Sequence, residues 1–395
     1  MKPRFTSLFS GCGGVDLGFL KAGYSCTAAF DFDKDAVSAY RKNVGNHINQ
    51  VDLSIPSLEV IEAVAASDVL VAGPPCQGFS TAGKQDLEDI RNTLILKVVE
   101  IAAIAKPRIV IIENVRGLLS PKFKSHWEKI CESLKSSGYE VTSRVVEATE
   151  FGVAQSRRRV IIMAILKRDS INLVFPIVKL KSLKDALLGV EGVSQHIIQP
   201  LARDSQNWLI ARRIAPGQKL SNVRGGESSV HTWDIPEVFG STTKAEKRIL
   251  EVLLTARRAY RRRDFGDADP VSLTTLNKEA GIQSLEIVES LIIKGYVRKI
   301  GKYYDITNAF NGKFRRLRWE EPAPTVDTRF GQARYFLHPE EDRGFSIREA
   351  ARIQGFPDDY IFPDQDAIAY RLIGNAVPPP MAKAIALLAR RALND

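Results

Sequence analysis

Short apolar runs separated by amphipathic segments dominate the first third of the chain. The runs are typical of buried strands and lie at 4–9, 25–30, 69–72, 109–112 and 160–166. Segments with helical spacing of their apolar residues lie between most of them. This alternation predicts an α/β fold with a doubly wound, mostly parallel sheet. In such sheets ligands bind at the carboxyl ends of the strands.

The pattern changes after residue 167, where strands and helices stop alternating. From about 244 to 307 the predicted order is helix, short strand, two helices joined by a turn at Gly281, and a hairpin around Gly301. That order favours a winged helix. A last apolar helix covers 381–392. We therefore predict three regions: a catalytic, cofactor-binding domain at 1–166 completed by 368–395, a recognition region at 167–314, and a linking segment at 315–367.

The distribution of charge along the chain indicates what it binds. The 395-residue chain has a formal net charge of +10, and its residues 244–318 hold 17 Lys and Arg against 9 Asp and Glu. A local excess of this kind favours nucleic acid. The four cysteines show no paired spacing and the five histidines are scattered, which argues against zinc and disulfides. We expect no membrane span, no signal peptide and a cytoplasmic protein.

The sequence offers one candidate nucleophile. Gly73 ends the strand at 69–72, and Pro74 and Pro75 then hold an extended turn that presents Cys76. A thiol fixed at that edge is suited to nucleophilic attack, although a small buried cysteine at a tight turn is the alternative. Glu113 ends the next strand. Adjacent strands would bring this carboxylate and the thiol to one site.

Glycines and acids mark a second site at the same edge. The first strand runs into Gly11, Gly13 and Gly14 ahead of a helix, where a ligand can approach the backbone. Asp16 stands where the dinucleotide fingerprint requires glycine, which favours a positively charged ligand. Asp31 and Asp52 follow the next two strands and suit ribose and adenine, so we predict an adenosyl ligand. Asp33 is better placed as a helix cap.

The ordered motifs resemble the C5-cytosine DNA methyltransferase family. They are FSGCGG (9–14), the acidic tip at Asp31, VD (51–52), GPPCQGFS (73–80), ENV (113–115), QSRRR (155–159), REAARIQGFP (348–357) and GNAVP (374–378). They cover about 1–166 and 315–395, and the combination of PPCQ, ENV and Gln-x-Arg-x-Arg is highly specific. The region between them is where this family places its variable target-recognition domain.

The resemblance implies a chemistry for the catalytic residues. Cys76 would add to C6 of a flipped-out cytosine, which makes C5 nucleophilic towards the methyl group of S-adenosylmethionine. Glu113 would bond N4 and N3 of the base, and Arg159, with Arg157, would hold the cytosine O2 and the active-site loop. S-adenosylhomocysteine would leave, and no metal is implied.

The resemblance also implies binding residues. The cofactor would contact Phe9, Gly11, Cys12, Gly13, Gly14, Asp31, Phe32, Asp52, Leu53, Pro75, Leu94, Asn375 and Val377. Double-stranded DNA would contact Gln77, Ser80, Arg91, Gln155, Arg261, Arg262, Arg263, Arg298, Lys299, Lys302, Arg315 and Arg316. The protein would act as a monomer on DNA, as the modification enzyme of a restriction or defence system that can include a separate endonuclease. Asp31 departs from the glutamate usual in the family, and the inserted winged helix is unusual.

Two alternatives stay open at this stage. Relatives with this catalytic core act on tRNA, but they carry a Cys-Phe-Thr motif that is absent from this sequence. A DNA-binding regulator with a vestigial core is the other alternative, and the filled catalytic positions argue against it. A nicotinamide dehydrogenase is excluded by the glycine pattern.

Overall fold

The structure is a computed structural model that describes residues 2–75, 89–167, 172–176, 178–223, 225–263, 268–308 and 310–394. Two compact units are present. The first comprises Met1–Ile197, Trp319–Arg329 and Ser346–Asp395, and the second comprises Ile198–Arg318 and Phe330–Phe345. These boundaries differ from the predicted ones at 167, 315 and 367. The described part of 172–197 joins the first unit because Leu173 and Phe175 are buried in its core.

Fifteen strands are present in the described residues: β1 Arg4–Leu8, β2 Ser25–Asp31, β3 Ile48–Gln50, β4 Val69–Ala72, β5 Ile109–Val115, β6 Tyr139–Glu147, β7 Arg158–Leu166, β8 Lys219–Ser221, β9 Ser229–Val230, β10 Val271–Ser272, β11 Val297–Ile300, β12 Tyr303–Ile306, β13 Asn311–Lys313, β14 Arg315–Arg316 and β15 Phe336–Leu337. Fourteen α-helices are present in the same residues: α1 Gly14–Lys21, α2 Lys34–Asn43, α3 Leu58–Ala65, α4 Leu94–Ala105, α5 Lys124–Ser136, α6 Leu183–Leu187, α7 Gln206–Arg212, α8 Pro236–Phe239, α9 Lys244–Ala259, α10 Leu273–Ala280, α11 Leu285–Ile293, α12 Ile347–Gln354, α13 Asp366–Asn375 and α14 Pro379–Asn394.

The first unit is built on a seven-stranded sheet of order β3-β2-β1-β4-β5-β7-β6. Strands β1 to β5 are parallel, and β7 runs antiparallel to β5 and β6. Alternate residues of β5 enter two cores on opposite faces: Ile109 and Ile111 on one, Val110 and Ile112 on the other. The predicted doubly wound, mostly parallel sheet is confirmed.

The C-terminal helices complete this unit. Met381, Ile385 and Ala389 of α14 are buried in the core beside Phe5 and Phe19. We expected no membrane span, but by length and composition the stretch Asp366–Asn394 could cross a membrane. It consists of α13 and α14, and about two thirds of its most apolar window (67%) is buried inside the protein. Burial of that extent is typical of core helices.

The second unit contains helices α9, α10 and α11 with a three-stranded sheet of order β10-β12-β11. Helix α9 begins at a capping box in which Thr243 and Glu246 cap each other's backbone. Its residues Ile249 and Leu253 pack on Leu276 and Tyr304. The elements follow one another in the order predicted from the sequence for 244–307. A second small sheet, of order β13-β8-β9, and the pair β14–β15 complete the unit.

Candidate active site

The carboxyl ends of β4 and β5 bring Glu113 next to the proline turn. The strands are paired in parallel with Ala72 opposite Ile112, so both end at one edge, as the sequence predicts. A Cβ built on Gly73 would lie 4.0 Å from Oε2 of Glu113. Asn114 donates from Nδ2 to the carbonyl of Pro74 over 3.3 Å and holds the turn. The chain then enters Cys76, Gln77 and Ser80, which lie outside the described residues.

Glu113 is held by an ion pair. Arg159 Nε lies 2.9 Å from Glu113 Oε1, and the two side chains are 14% and 13% exposed respectively. Strand register explains the contact, since Arg159 of β7 lies opposite Val115 of β5. The pair fixes the orientation of the carboxylate while Oε2 remains near Gly73. A charged pair at this depth is less screened than a surface pair.

The two other alternating residues of the basic motif face the interior. Arg157 is 2% exposed, and its guanidinium donates to the carbonyls of Val326, Gly374 and Ala376 over 3.1 to 3.3 Å. Gln155 is fully buried; it accepts from the amide of Val326 over 3.0 Å and donates to Gln354. The structure thus places Arg157 under the 374–378 turn rather than beside Glu113. It also places Gln155 out of reach of DNA.

The glycine turn is tied to the second strand through Asp31. Oδ2 of Asp31 accepts from the amide of Gly11 over 2.7 Å, and Oδ1 accepts from the amide of Asp33 over 2.8 Å. Burial raises the pKa of Asp31 to about 6, and the backbone amide of Gly11 opposes this rise. Phe9, at the start of the turn, has a φ of 54°, a conformation that a bulky residue rarely adopts. Such local strain is often found at functional sites.

Gly14, near the start of the chain, packs closely against Val377, near its end. A Cβ on Gly14 would lie 2.3 Å from the carbonyl oxygen of Val377, so only glycine allows this contact. Asn375 is exposed and Val377 is buried. Arg371 of α13 forms ion pairs with Asp33 and, over 2.6 Å, with Asp35. Since Asp33 also caps α2, its prediction as a helix cap is confirmed.

Two residues of the first turn face the core. Asp16 is fully buried and accepts from Tyr40 over 2.7 Å and from Ser7 over 3.0 Å. Burial raises its pKa to about 6. The inference that Asp16 selects a cationic ligand is therefore wrong, because its carboxylate is enclosed by protein. Cys12 is likewise buried, its Sγ lies 3.6 Å from the carbonyl of Leu372, and burial raises its pKa to about 12.

The remaining predicted cofactor residues differ in exposure. Phe32 is 68% exposed beside Asp31, whereas Leu53 is buried. Asp52 is exposed, and the amide of Ser54, which donates to it over 2.9 Å, lowers its pKa. Leu94 is half-buried at the start of α4. Among the described residues, no group of three or more His, Cys, Asp and Glu side chains is arranged to hold a metal ion.

The predicted DNA-contacting residues are divided by burial. Arg316 is buried and donates to four backbone carbonyls, those of Ala211, Ile214, His338 and Glu341, and to Asp342. The prediction that it contacts DNA is therefore wrong, because its guanidinium holds the second unit together. Arg315 is half-buried. The exposed members are Arg91, Arg261, Arg262, Arg263, Arg298, Lys299 and Lys302.

Sequence reasoning missed three residues that organise the site. Gln354 donates to the carbonyls of Ile373 and Ala376 over 3.0 and 2.6 Å. Arg371 and Asn114 hold α2 and the proline turn, as described above. Asn114 and Gln354 lie inside recognised motifs, which is a usable signal, but the partners of Arg371 are 336 and 338 residues away in the chain.

Comparisons with known proteins show which proteins the chain resembles. A family model described as C-5 cytosine-specific DNA methylase matches residues 3–388. The chain is 31% identical to the type II methyltransferase M.HgiBI of Herpetosiphon aurantiacus over 97% of its own length and 95% of that protein. It is 30% identical to M.NlaIV of Neisseria lactamica, with 97% of both chains covered.

Solved structures support the fold. A prophage-encoded protein of E. coli, described as a DNA modification methyltransferase, superposes with a TM-score of 0.62 and 23% identity over the whole of both chains. The Dnmt2 methyltransferase of S. pombe gives a TM-score of 0.55 and 16% identity, also over both whole chains.

Proposed function

Since this chain belongs to the C-5 cytosine-specific DNA methylase family, we propose catalytic roles for Cys76, Glu113 and Arg159 at the edge of its sheet. The protein is a DNA (cytosine-5) methyltransferase and uses S-adenosylmethionine as methyl donor. The observation that carries the residue assignment is the Glu113–Arg159 pair, which lies beside the turn that leads into Cys76.

In this proposal the Cys76 thiolate adds to C6 of an extruded cytosine, and Glu113 bonds N3 and N4 of the base. The carboxyl group stabilises the charge that develops on the ring as sulfur attacks. Arg159 positions Glu113 through their ion pair and holds the cytosine O2. After C5 has gained the methyl group, a base removes the C5 proton and the thiolate is eliminated.

The described residues fit the methyl donor. The bound donor supplies an electrophilic methyl group. The amide of Gly11 donates to Asp31. A Cβ built on Gly11 would meet no atom of the described residues within 4 Å, its chain neighbours aside, so this part of the backbone leaves room for a ligand. Exposed Phe32 offers a face to an adenine, and Asp31 and Asp52 offer acceptors to hydroxyl and amino groups. Arg157 acts in this proposal as a positioning residue, because it fixes the 374–378 turn and with it Val377 against Gly14.

The cellular role follows from the relatives. The two relatives described above are type II methyltransferases. We propose that this enzyme is the modification arm of a restriction–modification system and methylates one short duplex sequence as a monomer. Any cognate endonuclease would act separately.

Methylation mapping tests the proposal. The chain is expressed in a host without cytosine methylation, and 5-methylcytosine is mapped at base resolution in genomic DNA and in tRNA, with Cys76→Ala as control. We expect methylation at one short DNA motif, lost in the variant. Methylated tRNA with unmodified DNA would transfer the activity to RNA, and no methylation in either pool would contradict the assigned reaction.

A further inference from the structure

A cluster of basic side chains covers the hairpin β11–β12 of the second unit. Tyr303 and Asp305 alternate along β12 and share one face, with Ile300 and Arg298 opposite them on β11. On the other face Tyr304 and Ile306 are buried in the core. The face that bears Tyr303 is therefore the outer face of the sheet, and we name it the hairpin face.

Two arginines converge on one carboxylate within this face. Arg257 Nε lies 2.5 Å from Oδ1 of Asp305, and Arg298 lies 3.0 Å from its Oδ2. Asp305 is 6% exposed, so a single buried acid anchors both guanidinium groups. Arg262 and Lys302 lie beside Tyr303 instead, and the Arg262 amide donates to the carboxylate of Asp269, which pairs with Arg263. These five basic side chains (Arg257, Arg262, Arg263, Arg298 and Lys302) and two carboxylates (Asp269 and Asp305) carry a net charge of +3.

Arg262 lies over an aromatic ring. Its Cζ lies 3.8 Å from the centroid of the Tyr303 ring, and Lys302 Nζ lies 5.7 Å from the same centroid. Arg262 also donates to the carbonyl of Pro270 over 3.1 Å. A guanidinium held over a ring in this way loses less conformational entropy when it binds an anion. Among the described residues no acidic side chain pairs with Lys302.

Helix α11 has the opposite character. In a winged helix this second helix of the helix–turn–helix pair usually enters the major groove. Here it exposes Glu286 and Glu289, together with Leu285 (44% exposed) and Ile293 (88% exposed). Carboxylates and bare apolar side chains are unsuited to a groove lined by phosphates.

We propose that the second unit binds the phosphate backbone of duplex DNA through the hairpin face, with α11 turned away from the duplex. The inference rests on the proposed function, because it assigns a surface to the DNA substrate. Arg262 and Lys302 contact phosphates directly, and Tyr303 keeps Arg262 in place. The contacts are independent of base sequence and supply affinity and register rather than recognition of the motif.

Salt-dependent binding tests this surface. Binding of the full-length protein to a 30-bp duplex of random sequence is measured at several salt concentrations. The double variant Arg262→Gln/Lys302→Gln loses two phosphate contacts. The slope of the logarithm of its binding constant against the logarithm of salt concentration should be smaller in magnitude by about 2, and its Kd at physiological salt should rise about 30-fold. The exposed pair Lys124→Gln/Lys129→Gln on α5 removes the same charge and should leave both values near wild type. Lys302→Glu alone provides a second variant at an exposed turn, with an expected loss in the same direction.

Each outcome decides the question. An unchanged slope in the hairpin variants, or tighter binding by Glu286→Gln/Glu289→Gln, would overturn the proposed surface. The mapping experiment distinguishes failure of this inference from failure of the proposed function. If the wild-type protein methylates DNA but the hairpin variants bind duplex as the wild type does, only the inference about the hairpin face is overturned. Absence of both methylation and duplex binding in the wild type would overturn the proposed function.

Discussion

Arginine is used differently at the sheet edge of the first unit and on the hairpin face of the second. At the sheet edge Arg157 and Arg159 are almost enclosed. Arg157 donates to three backbone carbonyls, and Arg159 donates to the carbonyl of Arg158 and forms an ion pair with the carboxylate of Glu113. On the hairpin face Arg262 and Arg298 are exposed, and Arg262 is supported by a tyrosine ring. Both regions are basic in sequence, and they differ in how deeply their arginines are buried and in which groups those arginines contact.

The difference teaches what each task demands. Chemistry on one base requires a carboxylate fixed to a fraction of an ångström, and buried ion pairs provide that rigidity. Contact with a phosphate backbone requires charge at the surface in roughly the right place. We expect substitutions in the first region to affect rate and folding, and those in the second to affect affinity and its salt dependence.

The largest effect is expected for Cys76→Ser. A serine hydroxyl is not ionised near neutral pH, so methyl transfer should fall below detection. Binding of S-adenosylmethionine, measured by calorimetry, should stay within about twofold of wild type. Loss of cofactor binding together with activity would instead make Cys76 a structural residue of the proline turn.

Glu113→Gln should lower kcat by about 10²–10³-fold, because the amide cannot supply the charge and proton that the base requires. Glu147 offers a matched control. It pairs with Arg158 over the same 2.9 Å, but Arg158 is 62% exposed. Steady-state methylation by Glu147→Gln should remain within about twofold of wild type. Equal losses in both variants would refute a special role for Glu113.

Arg157→Met tests how much the buried hydrogen bonds of Arg157 contribute to stability. It leaves three carbonyls without their donor and should lower the free energy of unfolding by about 3 kcal/mol. The same change at exposed Arg262 should cost less than about 1 kcal/mol. Urea denaturation of both variants measures the difference, and equal costs would remove the contrast between the two regions.

A smaller effect concerns Asp16. Burial raises its folded pKa from 3.8 to about 6, so the folded state binds this proton more tightly than the unfolded chain. Its contribution to stability is therefore present below pH 4 and is lost as pH rises to 6. The stability of wild type relative to Asp16→Asn should fall by about 2–3 kcal/mol between pH 4 and pH 7, measured by urea denaturation. A constant difference would contradict the buried, titrating carboxylate.

Much of the fold could be predicted because local signals agree with tertiary structure. The β-branched run at 69–72 and the glycines at 11–14 indicate a strand and a turn on their own, and the motif order supplied the rest. Elements of the second unit were predicted because capping and turn residues, such as Thr243 and Gly281, mark their ends.

Side-chain direction was harder to predict. Alternation places Gln155, Arg157 and Arg159 on one face of an extended segment. It cannot say that the turn at 374–378 covers Arg157, or that Val326 and Gln354 are the partners of Gln155. The inference that Asp16 selects a ligand was wrong because its partners Ser7 and Tyr40 come from other elements and are not evident from the turn itself. The exposure of Arg316 was misjudged for the same reason, since its acceptors lie up to 105 residues away in the chain.

Covalent trapping tests the central claim, that reaction occurs at the sheet edge where Glu113 adjoins the turn into Cys76. The duplex carries 5-fluorocytosine at the mapped target. Fluorine on C5 cannot be removed by a base as the normal C5 proton is, so the thiolate cannot be eliminated and the covalent adduct should persist after methyl transfer. Mass spectrometry of the digested complex should find the base attached to the peptide that contains Cys76, with slower formation in Glu113→Gln. Attachment to Cys12, Cys26 or Cys131, or the absence of any adduct from an actively methylating enzyme, would contradict this account.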